Sequence, residues 1–232
     1  MAGISDSWTP RGNRHWKLTA GIEIPQYSFT TVEGITKKVY QRVPDIPIAA
    51  KYHWNNSLSW VRGSAIFRTL TYRNLLQDKN RSCFGYGVQL SGAVAFLDRF
   101  TFYWQGVWGR GIGSMVQDTV DEGLDLTPVD SDMTLSPAKM WGGFLALKFD
   151  VCDRVTTSVT YSQLRGYVPK YEGGTTEWNN LYKYTQYVCA NAFYQPLSFF
   201  ATGLEYIWGR RVNYDGLKCA DNRLQLALQL IF

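Results

Sequence analysis

Apolar and polar residues alternate along most of this chain. Over 222–232, Leu224, Leu226, Leu228, Leu230 and Phe232 fall on one side of an extended backbone. Arg223, Gln225, Ala227 and Gln229 fall on the other, and Ile231 breaks the pattern. A helix would scatter these leucines around its circumference, so the segment reads as a strand. The same period recurs upstream. Over 16–24, Trp16, Leu18, Ala20, Ile22 and Ile24 oppose Lys17, Thr19, Gly21 and Glu23. Over 46–54, Ile46, Ile48, Ala50, Tyr52 and Trp54 oppose Pro47, Ala49, Lys51 and His53. Over 84–96, Phe84, Tyr86, Val88, Leu90, Val94 and Phe96 oppose small residues and Gln89. Over 155–165, Val155, Val159 and Tyr161 oppose Thr156, Ser158, Thr160 and Ser162. Over 182–194, Tyr182, Tyr184, Val188 and Tyr194 oppose Lys183, Thr185, Cys189 and Asn191. Over 198–211, Phe200, Leu204, Tyr206 and Trp208 oppose Ala201, Gly203, Glu205 and Arg211. Segments 58–73, 100–112 and 138–151 alternate less cleanly. No helical stretch stands out.

Ten strands follow, mostly 9 to 16 residues long. Soluble strands average about 5 or 6 residues, whereas a tilted strand needs about 9 to 11 to cross a bilayer. The connections alternate as well. Those at 55–56, 98–99, 152–154 and 195–197 are short, and those at 26–45, 74–82, 114–137, 167–180 and 213–221 are long. Short periplasmic turns and long extracellular loops are the habit of transmembrane barrels. The predicted fold is an all-β antiparallel meander forming one transmembrane β-barrel domain over 1–232, with apolar sides toward lipid and polar sides toward water. If the chain is part of a larger barrel, strand 16–24 does not pair with 222–232; a closed ten-stranded barrel would join them.

Composition agrees. Aromatic residues make up 16% of the 232 residues, a level suited to girdles at two membrane interfaces. No window holds 18 consecutive apolar residues, so a helical span is not expected. Met1–Trp8 lacks the apolar core of a signal peptide, and the expectation is a truncated or fragmentary chain.

The net charge is +5, unevenly placed. Residues 114–137 hold Asp118, Asp121, Glu122, Asp125, Asp130 and Asp132 and no Lys or Arg. Their spacing does not fit a calcium loop, and the segment reads as a solvated extracellular loop. The polar sides of the strands carry Lys17, Lys51, Arg62, Arg68, Lys148, Lys183, Arg211 and Arg223 against Glu23 and Glu205. A basic lumen concentrates anions. Glu205 is expected to pair with Arg211 or Arg223 within the wall. With no Lys/Arg run and no helix for a groove, nucleic acid is not a predicted partner. Cys83, Cys152, Cys189 and Cys219 show no metal-ligand spacing and read as free thiols, so neither a metal nor a cofactor is expected. Cys83 and Cys219 share the extracellular side but lie on distant strands, which argues against a bridge. His15 and His53 are the available imidazole bases, and neither neighbours a serine nucleophile in sequence.

Several stretches, taken in order, resemble the DcaP-type trimeric porins. They are 43–46 (VPDI), 67–73 (FRTLTYR), 187–193 (YVCANAF), 203–211 (GLEYIWGRR), 213–216 (NYDG) and 222–226 (NRLQL), running on to Phe232. The resemblance implies a 16-stranded trimeric outer-membrane barrel, of which about six N-terminal strands are missing here. It also implies selectivity for negatively charged solutes, dicarboxylates among them, and no catalysis. The terminal Phe232 resembles the signal read by the barrel assembly machinery. Arg68, Glu205, Arg211 and Arg223 fall within the matching stretches and are carried over as lumen residues.

The expected function is therefore passive diffusion of small hydrophilic, preferentially anionic solutes through a homotrimer set among membrane lipid and lipopolysaccharide. The expected pore-lining residues are Lys51, Arg62, Arg68, Lys148, Lys183, Glu205, Arg211 and Arg223. A barrel enzyme and an accessory barrel of a larger envelope complex are the alternatives. Hydrolytic assays with His53→Ala test the first, and conductance separates the second.

Overall fold

Strands form here because a pleated backbone places successive side chains on opposite faces, and this sequence supplies a different environment for each. The computed structural model describes residues 3–8, 15–29, 35–120, 122–129, 134–168 and 181–230, with backbone alone for 3–8. Its strands are β1 (Gly3–Trp8), β2 (Trp16–Glu23), β3 (Thr36–Lys38), β4 (Ile46–Trp54), β5 (Ser59–Asn74), β6 (Lys79–Phe96), β7 (Phe100–Arg110), β8 (Leu126–Pro128), β9 (Leu135–Pro137), β10 (Lys139–Cys152), β11 (Val155–Tyr167), β12 (Tyr182–Leu197), β13 (Phe200–Asn213) and β14 (Lys218–Leu230). Two single-turn 3₁₀ helices, Gly113–Met115 and Gln117–Thr119, lie between β7 and β8. One antiparallel sheet runs β1-β2-β4-β5-β6-β7-β10-β11-β12-β13-β14, with β3 added to β5; β8 and β9 form a separate hairpin. Among the described residues, β1 pairs only with β2 and β14 only with β13, so the meander is open.

The ten expected strands are all present, and four details differ. Gly3–Trp8 is an additional strand and precedes the one expected first. Six residues with only two large apolar side chains show too little alternation to be read. The expected loops 74–82 and 213–221 shrink to turns at 75–78 and 214–217, because β6 and β14 begin earlier. Their polar starts, Lys79–Ser82 and Lys218–Asp221, pair along β5 and β13 without needing an apolar face. Tyr182 points inward rather than outward, since a bulge between Tyr182 and Tyr184 inserts Lys183 and reverses the facing. The acidic segment 114–137 is not a solvated loop. Thr119, Leu124, Asp125, Leu126 and Thr127 are buried, and the described residues of 111–138 fold back over one face of the sheet. We call that face inner. Phe232, Asp121, Asp130, Asp132 and most of 167–180 lie outside the described residues.

The outer face is apolar and uncovered. On β14, Leu224, Leu226, Leu228 and Leu230 are 69%, 71%, 70% and 61% exposed. Aromatic side chains frame this face at two levels. Phe67, Phe84, Tyr86 and Trp108 contact one another in sequence at the end bearing 111–138. Trp16, Tyr52 and Trp54 do so at the other end, as do Phe96, Phe100 and Phe149. The levels are ten residues apart along β6, from Tyr86 to Phe96, and eight apart along β7, from Trp108 to Phe100. At about 3.4 Å per residue and a tilt of roughly 40°, this separation is about 21–26 Å.

In lipid bilayers, nitroxides at 224, 226, 228 and 230 should be accessible to oxygen, and those at 223, 225 and 229 to a water-soluble relaxant. A uniform response along β14 would overturn the facing.

Candidate functional site

The inner face holds two kinds of residue. Small and polar side chains from Thr19, Ala49, Ser64, Gln89, Gln105 and Ser162 leave room for water. Larger apolar ones interrupt them at Ile66, Leu70, Tyr72, Val107, Met140 and Leu164. These interruptions receive the inturned segment. Ile112 and Leu124 pack with Met140, Leu164 and Tyr182, while Leu126 and Leu135 pack with Phe29, Leu70 and Tyr72. The Tyr72 hydroxyl accepts from Leu135 N at 2.8 Å. Gly111 begins the inward course at φ +69°, where a Cβ would lie 2.7 Å from Leu70 Cδ1. Only glycine meets both conditions there.

Arg68 anchors the segment. Its Nε donates to Asp45 Oδ2 at 2.9 Å, and its Nη1 reaches Asp125 Oδ1 at 3.2 Å, Gly111 O at 2.8 Å and Ser114 Oγ at 3.2 Å. Nη2 donates to Gln26 O. All three charged side chains are fully buried. Asp125 also accepts from Ser28 N at 2.7 Å and Ser114 N at 3.1 Å. Burial pushes the Asp125 carboxyl above the usual carboxylate range, while Arg68 and these two N–H groups pull it back. Desolvation thus outweighs attraction at this carboxyl, and the cluster fixes position more than it adds stability.

Two further acids moor the far side. Asp118 Oδ2 accepts from Thr185 Oγ1 at 2.9 Å, on β12. Glu122 accepts both Arg211 terminal nitrogens, on β13, one of them at 2.8 Å. Arg211 Nε donates to Asn213 Oδ1 at 3.0 Å. From Arg68 on β5 to Arg211 on β13, the segment crosses the inner face of β6, β7, β10, β11 and β12. Met115 and Val116 project between two recesses. One, of about 470 Å³, is lined by Thr19, Glu23, Ala49, Arg62 and Ser64. The other, of about 440 Å³, is lined by Gln89, Gln105, Gln117, Asp118 and Ser162.

The expected pore-lining residues take up different positions. Arg62 lines the first recess, and Lys51 opposes it in register. Lys51 Nζ lies 4.0 Å from the Trp60 ring centroid. Lys17 opposes Lys51 in turn. Arg223 faces inward opposite Ile207. Lys148 pairs with Asp150 at 3.0 Å. Lys183 sits at the bulge, 5.6 Å from the Tyr214 ring centroid. Glu205 accepts from Cys189 Sγ at 3.1 Å and Asn191 Nδ2 at 3.2 Å, not from Arg211 or Arg223. Arg68 does not line water: a charge this deep needs partners on every N–H, and the inturned segment supplies them. Arg211 faces inward but is held by Glu122. All four cysteines are free. His15 Nδ1 lies 2.9 Å from His53 O. Among the described residues, no group of His, Cys, Asp and Glu could hold a metal ion.

Sequence reasoning missed Asp45, Asp118, Glu122 and Asp125 as structural partners. The available signal was the imperfect alternation in 58–73, 100–112 and 138–151, which marks where the segment lands.

An apolar outer face, a more polar inner face and a connection folded across it define an open antiparallel meander of the transmembrane β-barrel kind. The crystal structure of the outer membrane channel DcaP of Acinetobacter baumannii shares this fold, with a TM-score of 0.76 and 14% identity over 99% of this chain. This chain spans 62% of that channel's length. The NanC porin aligns over 99% of this chain and 91% of its own, at 9% identity and a TM-score of 0.46. No family model matches the chain, and no curated protein does.

Asp125→Ala should destabilise the folded protein by about 3–5 kcal/mol, since it leaves a buried guanidinium short of a counter-charge. Glu122→Gln, at a half-exposed pair, should cost at most about 1 kcal/mol. Urea midpoints of the refolded variants check the order, and equal losses would contradict it.

Proposed function

We propose that this chain forms the wall of an outer-membrane porin that passes small hydrophilic, preferentially anionic solutes, dicarboxylates among them. One observation carries the reading: two aromatic levels about 21–26 Å apart frame an uncovered apolar face, close to the roughly 25 Å lipid band of outer-membrane barrels. The turns at 55–58, 97–99, 153–154 and 198–199 share one end, which becomes the periplasmic one. The inturned segment then narrows the passage from the extracellular side. The reading includes no catalysis. Assembly as a homotrimer and recognition of the strand ending at Phe232 by the assembly machinery belong to it and rest on the resemblance.

Anion preference is supported by a row of charge. Lys17, Lys51 and Arg62 stand directly opposite one another across β2, β4 and β5 on the inner face. Like charges in direct opposition repel. Among the described residues, no carboxylate lies within ion-pair distance of these three. Such a row beside an aqueous recess attracts anions. Arg223 adds to it from β14. Asp118, on the opposite recess, works against it.

In planar bilayers the full-length protein should conduct and favour chloride over potassium at 0.1 M salt. Replacing Lys17, Lys51 and Arg62 together by Gln should shift the reversal potential toward cation preference. The difference should shrink at 1 M salt, where the screening length falls from about 10 Å to about 3 Å. A protein that inserts without conducting would instead be an accessory barrel, and an unchanged reversal potential would remove this row from selectivity.

A further inference from the structure

The outer face carries a basic group that the passage does not use. Arg110, ending β7, stands opposite Lys139, which opens β10, and Lys139 stands opposite Tyr167, ending β11. In the next outward-facing row, Trp108, Trp141 and Arg165 oppose one another. Lys139 Nζ lies 5.5 Å and Arg165 Cζ 5.1 Å from the Tyr167 ring centroid, so two cations share one ring. Trp141 Nε1 donates to Tyr167 Oη at 3.1 Å and fixes that ring. Among the described residues, no carboxylate lies within ion-pair distance of Arg110, Lys139 or Arg165. Arg165 Nε is buried, with no hydrogen-bond partner among the described residues. Beside Arg110 and Lys139 is a recess of about 270 Å³, lined also by Tyr167, Ser136 and Thr127, and Arg165 approaches it through the shared Tyr167 ring. The Thr127 hydroxyl, in a side chain almost wholly buried, also lacks a partner among the described residues.

Three cations gathered on a lipid-facing surface repel one another, and their charge is costly to hold next to hydrocarbon. Both problems are solved by one multivalent anion. Tyr86 and Trp108, neighbours of Arg110 on the outer face, belong to the aromatic level on the side of 111–138, which is headgroup depth on the membrane-spanning reading. A phosphate there would be met by a guanidinium fork, an ammonium and two hydroxyls, with Trp108 and Trp141 in the adjoining row. We infer that Arg110, Lys139 and Arg165 bind a headgroup phosphate of lipopolysaccharide in the outer leaflet. The assignment rests on the membrane-spanning reading proposed above.

The test is native mass spectrometry of the full-length protein in detergent with added lipopolysaccharide. Wild-type protein should retain the lipid, and at least tenfold less of the same lipid after enzymatic dephosphorylation. The variant R110Q/K139Q/R165Q should lose retention at least tenfold, whereas K139R should keep it within twofold. Millimolar inorganic phosphate should not displace the lipid. Equal retention of the dephosphorylated lipid, or undiminished retention by the triple variant, would overturn the assignment. Displacement by inorganic phosphate would make this a free-anion site and overturn the lipid. The dephosphorylation arm needs no variant, so misfolding cannot imitate the result. Bilayer conductance is read in parallel: its absence in wild-type protein would end the porin reading while leaving the retention measurement interpretable.

Discussion

Arg68 carries a permanent charge into a place without water, and each side of its guanidinium must therefore meet an acceptor. Those acceptors come from four separate parts of the chain: Asp45 before β4, Gln26 after β2, Gly111 and Ser114 at the start of the inturned segment, and Asp125 at its return. No one of these contributes a strand to the wall at that point. They are held in place because the guanidinium is rigid and flat and tolerates little displacement of its partners. The apolar clusters on either side add area but little direction. The position of the segment across the inner face thus follows from one side chain on β5 and is maintained at the far end by Arg211 and Thr185.

The same interactions change the electrostatics of the interior. A wall counted from its own side chains is strongly basic. Once the segment docks, Asp125 and Glu122 neutralise two of those arginines, and Asp118 brings a carboxylate to one recess. The remaining excess is concentrated in the row formed by Lys17, Lys51 and Arg62 near the turns. Charge spread along the sequence of the wall becomes a local feature of the inner face beside the short turn at 55–58.

The wall was legible because its two faces meet opposite solvents, and period-two patterning survives wherever nothing else touches a strand. On β14, β13 and β4 the facing of each side chain followed from the sequence. Where the inner face receives other parts of the chain, the pattern weakens: Leu70 and Tyr72 on β5, Val107 on β7 and Met140 on β10 look like errors in alternation and are contact points. The acids at 118, 122 and 125 read as solvated because their partners lie on strands 67, 89 and 57 residues away. No local pattern encodes a pairing over that distance. The bulge at Lys183 was hidden for a different reason, since one extra residue reverses facing without altering composition.

Contacts with such large separations also constrain time. Glu122 cannot reach Arg211 until β10, β11, β12 and β13 have each paired with their neighbours, because Arg211 has no fixed position before then. Hairpins between adjacent strands close short loops and form readily, whereas the crossing from β5 to β13 requires most of the sheet to exist. The Glu122–Arg211 contact therefore follows the pairing of β13, whereas the Arg68 anchor at the other end needs no strand beyond β7. Until that contact forms, the inner face of β12 and β13 lacks one of the two ion-paired moorings that hold the segment.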